Sequence, residues 1–118
     1  MPSKRDARDA VAPPSLPEDL TRAASFDLSG GEEIVETLVT GMALTGRDAP
    51  GLSLLWSRLE NVTLQRCDLR GLEARDVVFE GCDLSGSDLS ESRLQRVEFR
   101  SCRLSGTTLS RSTLTDVR

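Results

Sequence analysis

From Leu44 onward, every fifth residue of the chain is apolar. The series runs Leu44, Ala49, Leu54, Leu59, Leu64, Leu69, Ala74, Phe79, Leu84, Leu89, Leu94, Phe99, Leu104, Leu109 and Leu114. Val39 carries it one unit back, and Ile34 is a candidate for one more. An α-helix cannot use this spacing. Five residues at about 100° each would carry the apolar stripe right around the cylinder.

A second restricted set lies two residues before each centre: Leu52, Ser57, Val62, Cys67, Leu72, Val77, Cys82, Ser87, Ser92, Val97, Cys102, Thr107, Ser112 and Val117. These side chains are small or aliphatic, and polar residues stand between them and the centres. In an extended chain alternate side chains share a face, so each unit reads as a three-residue strand with two inward positions. The other two residues must then turn the chain. Gly41, Gly46, Gly51, Gly71, Gly81, Gly86 and Gly106 all fall two after a centre, where glycine at a fixed phase marks a turn.

A longer repeat fixes the number of corners per circuit. Residues 77 to 94 (VVFEGCDLSGSDLSESRL) match residues 97 to 114 (VEFRSCRLSGTTLSRSTL) at a shift of twenty. Four units therefore make one coil. A shift of fifteen aligns Val62 and Cys67 with Val77 and Cys82 but does not continue. Stacking at twenty places Phe79 on Phe99, Val77 on Val97 and Cys82 on Cys102, with Leu64, Leu84 and Leu104 in one column. The expected core includes these residues with Leu69, Leu89, Leu94 and Leu109. About four coils at the ~4.8 Å strand spacing make a short column, in which no single coil is stable without its neighbours.

Composition agrees with such an array and narrows its chemistry. Aromatic residues are only 3% of the chain, so the core must be assembled from many small aliphatic units. Histidine and tyrosine are absent, which removes the commonest general base and metal ligand. No catalytic residue, metal site or cofactor is expected. Three cysteines without paired CxxC spacing suit reduced core thiols. A bridge between stacked Cys82 and Cys102 would be strained and would need oxidising conditions. The formal charge is −4, with nine acids and five bases in residues 1 to 51 and ten of each in residues 52 to 118. That balance argues against direct nucleic-acid binding. With no run of roughly 20 apolar residues and a charged N-terminus unlike a signal peptide, no membrane contact is expected, and the expected location is the cytoplasm.

Residues 1 to 15 read as a flexible tail, residues 16 to 36 as an N-terminal cap segment, and residues 37 to 118 as the repeat array. Leu16, Leu20 and Ala24 have the spacing to line one side of a short helix after Pro17. At the other end the repeat is still running at Val117, which leaves two expectations open: two copies forming a homodimer by their C-terminal coils, or a shortened relative of longer proteins.

The units CDLRG, CDLSG, SDLSE and TTLSR resemble the pentapeptide-repeat family. Cys, Ser, Thr and Val here take the small slot usually held by Ala. The resemblance implies an all-β, right-handed quadrilateral β-helix, usually without catalytic activity. It also implies two functional expectations: a protein-binding or scaffold surface with an unknown protein partner, or a DNA-mimicking binder of DNA gyrase or topoisomerase IV. The balanced charge of the repeat region departs from the sustained negative surface of a DNA mimic.

Two features are candidates for an interaction surface. Asp48, Asp68 and Asp88 share one phase and should form a column of carboxylates roughly 5 Å apart. Leu55 and Trp56 occupy outward and corner positions where the other units are polar, so an apolar patch is expected there. Docking of the N-terminal segment is the simpler reading of that patch and a partner contact the alternative. The columns Asp76, Arg96, Asp116 and Glu73, Arg93 alternate in sign, as ordinary cross-strand pairs do.

Overall fold

The computed structural model describes residues 14, 16, 20 to 23, 31 and 33 to 118, and among them every regular element is a strand. The strands are β1 (Thr21–Ala23), β2 (Glu33–Val35), β3 (Thr37–Thr40), β4 (Ser53–Leu55), β5 (Arg58–Glu60), β6 (Glu73–Glu80), β7 (Arg93–Arg100) and β8 (Thr113–Val117). All pairings are parallel. From Glu33 onward the register is twenty residues: Ile34 on Leu54, Leu54 on Ala74, Ala74 on Leu94 and Leu94 on Leu114 form one face. Val39, Leu59, Phe79 and Phe99 form the second. The third and fourth faces are narrower, joined through the stacks Ala43, Thr63, Asp83, Arg103 and Asp48, Asp68, Asp88, Thr108.

The corners explain how a period of five closes a square. Among the described residues ten non-glycines and eight glycines have positive φ, and they stand at every fifth position from Gly31 to Asp116. Each corner therefore turns through one left-handed residue. This conformation costs ordinary L-residues about 1–2 kcal/mol, yet here it recurs at Glu36, Trp56, Arg66, Asp76 and Glu91 among others. The coil-to-coil hydrogen-bond ladder holds them there: the amides of Trp56, Asn61 and Arg66 donate to the carbonyls of Arg75, Glu80 and Ser85 in the next coil.

The small inward slot has a second role besides fitting. The Cys67, Cys82, Ser87, Cys102, Thr107 and Ser112 side chains each donate to the carbonyl oxygen of a centre 23 residues back, at Leu44, Leu59, Leu64, Phe79, Leu84 and Leu89 respectively. A buried carbonyl without a partner costs free energy, so a compact side chain with a donor serves better there than an aliphatic one.

Burial follows position along the axis. Ile34, Val39, Leu44 and Ala49 in the first complete coil are all buried, as are Leu64, Leu69, Val77, Phe79, Cys82, Leu84, Leu89, Leu94 and Val97. Phe99 and Cys102 are only partly buried. Leu104 and Leu109 depart from the expected core: each is 41% exposed, and Leu114 is 49% exposed. They point inward, but no coil is stacked on them.

The N-terminal segment also differs from the helix considered for it. Thr21–Ala23 is a strand paired with Thr37–Val39, so this part of the chain extends the second face. The proposed tail at residues 1 to 15 and the helix-lining Ala24 fall largely outside the described residues. Ile34 lies in full register with Leu54, which places the start of the regular coils before residue 37.

Candidate functional site

The carboxylate column forms with the expected register, Asp48 beside Asp68 and Asp68 beside Asp88. The Asp68 and Asp88 side chains turn back onto their own corners. Asp68 accepts from the Arg70 amide at 3.2 Å and from its guanidinium at 2.9 Å through each carboxylate oxygen. Asp88 accepts from the Ser90 amide at 2.9 Å and from the Ser90 hydroxyl. Asp83, on the third face, repeats the pattern with the Ser85 amide at 3.0 Å and adds a bond from Gln65 Nε2 at 2.7 Å. Hydrogen bonds from Arg70, Ser85 and Ser90 hold Asp68, Asp83 and Asp88 below the usual carboxylate range. An Asp bonded to the amide two residues on is a turn-forming device.

Leu55 and Trp56 lie at the corner between the first two faces. Trp56 is 36% exposed, Leu55 is half-buried, and Val35, one coil earlier, is also 36% exposed. The sequence reading missed Val35 because the repeat register was uncertain before Val39. Trp56 shares its corner column with Asp76, which is 2% exposed. Arg96 clasps that carboxylate through two bonds of 2.6 and 2.8 Å. What resembled an ordinary alternating pair in the sequence is a bidentate ion pair with its acid fully buried.

The second face carries another ladder, with Arg58 bonded to both Glu60 and Glu80 and Arg100 bonded to Glu98. Between them Val78 points outward yet is 4% exposed, covered by the long side chains of its neighbours.

The three thiols are free. Burial raises all of them above the ordinary thiol value, Cys82 to about 11. Protonated thiols donating to carbonyls are poor nucleophiles. Within the column there is a void of about 10 Å³ walled by Ile34, Leu44, Leu54, Phe79 and other apolar side chains. That is room for one water at most. Among the described residues no three acids or cysteines gather as metal ligands.

The family model for the pentapeptide repeat region matches residues 56–118. The chain belongs to the pentapeptide-repeat family. Among solved structures, this pentapeptide-repeat protein is similar to a pentapeptide repeat protein, Rfr23, from the cyanobacterium Cyanothece 51142. The two are 13% identical with a TM-score of 0.53, over 71% of this chain and 88% of that one. It is also similar to trypsin-treated QnrB1, a plasmid-mediated fluoroquinolone resistance protein, at 19% identity and a TM-score of 0.45 over 83% of this chain. It spans about half of QnrB1, 53% of that chain. No curated protein matches the pentapeptide-repeat sequence. The Rfr23 structure agrees with it in fold.

Among the described residues the most exposed large apolar side chains are Leu104, Leu109 and Leu114 of the C-terminal coil, the coil offered by the sequence for pairing of two copies. The five-residue pattern marks these leucines as inward.

Proposed function

We propose that this pentapeptide-repeat protein is a non-catalytic binding module that acts in the cytoplasm by docking another protein against the C-terminal end of its column. The exposure of Leu104, Leu109 and Leu114 carries this reading. Three large apolar side chains side by side on a rigid frame are a surface for contact, whether with a partner or with further repeat units. The apolar, nearly solid interior offers no place for a substrate. Asp68 and Asp88 on the fourth face are engaged with their own turns and lend no support to mimicry of DNA.

The test compares photo-cross-linking side chains placed at Leu109 and at Arg70 in host lysate. Adducts formed only from position 109 support end-on docking. Adducts formed equally from both, or only from position 70, refute it.

A further inference from the structure

An apolar patch interrupts the polar exterior where the first two faces meet. Val35 and Leu55 stack in register on the first face, and Trp56 stands beside them on the corner in the left-handed conformation. Val35 and Trp56 are each 36% exposed. One and two coils further on, the same positions hold Arg75 with Asp76 and Gln95 with Arg96. The apolar character therefore belongs to the first two described coils and is no property of the repeat.

The chain itself supplies a segment that reaches this patch. Thr21 pairs with Thr37, and its amide donates to the Glu36 carbonyl at 2.9 Å, so the residues before it depart from the corner on which Trp56 stands. Trp56 lies two strand spacings from Thr21, about 10 Å along the axis. At the ~3.1 Å per residue of polyproline II, Leu16 reaches about 15 Å from Thr21 and Pro14 about 22 Å. Prolines at 13, 14 and 17 bias the residues before them, Ala12, Pro13 and Leu16, towards extended backbone. Pro14 and Leu16 are two apart, which puts them on one side of an extended chain, and both are half-buried.

We infer that residues 12 to 17 fold back along the outside of the column as an extended strap, with Pro14 and Leu16 packed on Val35, Leu55 and Trp56. Proline-containing segments dock on aromatic side chains because their extended form is already ordered and loses little entropy on binding. Trp56 is the only tryptophan of the chain. Tethering strengthens the contact, since a ligand on the same chain acts at an effective concentration of about millimolar. The patch is thus a surface that a partner can use only by displacing the strap. This inference is independent of docking at the C-terminal end.

Trp56 reports on its own cover. The experiment uses the full chain and reads Trp56 emission and acrylamide quenching in the wild type, in P14S/L16S and in Thr45→Ser on the third face. P14S/L16S should shift emission to the red and raise the quenching constant roughly twofold, as an indole passes from covered to open. Its thermal transition should move by no more than a few degrees, and Thr45→Ser should change neither reading. Trp56→Ser leaves the strap intact and removes its seat. It should speed cleavage after Glu18 by a glutamate-specific protease without speeding cleavage after Glu91 in the column, which separates release of the strap from unfolding. If quenching or cleavage after Glu18 is unchanged, the inference is overturned. Protection of Trp56 that requires high protein concentration assigns the patch to another copy, and protection that requires host lysate assigns it to a separate partner; either result overturns it as well.

Discussion

The rings of Phe79 and Phe99 stack with centroids 5.0 Å apart and planes within 8° of parallel, although the residues are twenty positions apart in the chain. The upper ring is fully buried and the lower only partly. Phe79→Ala should cost about 3–5 kcal/mol, the range for a filled aromatic core site, and Phe99→Ala clearly less, because part of its surface is already in water. Urea unfolding of the two variants checks the order, and equal losses would contradict the axial gradient of burial.

Ser87 and Ser92 occupy the same kind of slot with different bonding. Ser87 accepts from the Cys67 amide at 3.0 Å and donates to the Leu64 carbonyl. The Ser92 hydroxyl is buried without a partner. Ser87→Ala should destabilise by about 1–3 kcal/mol through the groups it leaves unpaired. Ser92→Ala should be neutral or slightly stabilising. Matched thermal melts decide this.

Arg96 is a cation paired with the buried Asp76 carboxylate. Arg96→Met keeps much of the stem and removes the charge, so it should destabilise by about 3 kcal/mol, as breaking a buried pair does. R103Q, in an open position, should cost less than about 1 kcal/mol. Similar losses in both variants would mean that Asp76 does not depend on Arg96.

The left-handed corners predict opposite signs for opposite substitutions. A Cβ on Gly71 would meet nothing closer than 3.8 Å, so Gly71→Ala pays only for its φ of +71° and should cost about 1–2 kcal/mol. Glu91, at φ 58°, loses that strain on replacement by glycine while the unfolded chain gains freedom. Glu91→Gly should therefore fall between neutral and about 1 kcal/mol stabilising. A large loss in the second variant would show that the ladder sets no strain at the corner.

Stability should decline at both extremes of pH. Cys82 rises from 9.0 to about 11 on folding, chiefly through burial, so the folded state binds the proton more tightly. The stabilisation is full below pH 9 and is lost between about 9 and 11. Cys82→Val should flatten that limb. Asp68, Asp83, Asp88 and Glu98 are lowered on folding, so their contribution holds above the ordinary carboxylate range and is lost as pH falls below about 4. At neutral pH a thiol reagent should label Cys102 before Cys67 and Cys82, which are each 2% exposed.

The column was legible in the sequence because a strand's alternation and a fixed corner leave a strict period, and the match of residues 77 to 94 with 97 to 114 supplied the stacking register. Depth was less legible. Direction and burial are separate properties: Leu104 and Leu84 share a phase, and only Leu84 has a coil on each side. The slot residues were read by size alone, which overlooked the bond from Cys67 to the Leu44 carbonyl. The corner conformation was visible where glycine marks it, but nothing in the identity of Trp56 or Arg66 announces a left-handed backbone. Strand β1 escaped notice because its pairing is made by the sheet it joins and its three residues carry no repeat signal of their own.

The burial of Ile34, Val39, Leu44 and Ala49 at one end, against the bare leucines at the other, gives the molecule a polarity like that of a rod with one blunt tip. Solvent access therefore rises along one axis, and amide exchange should slow step by step from the bonds around Leu104 back to those around Leu44.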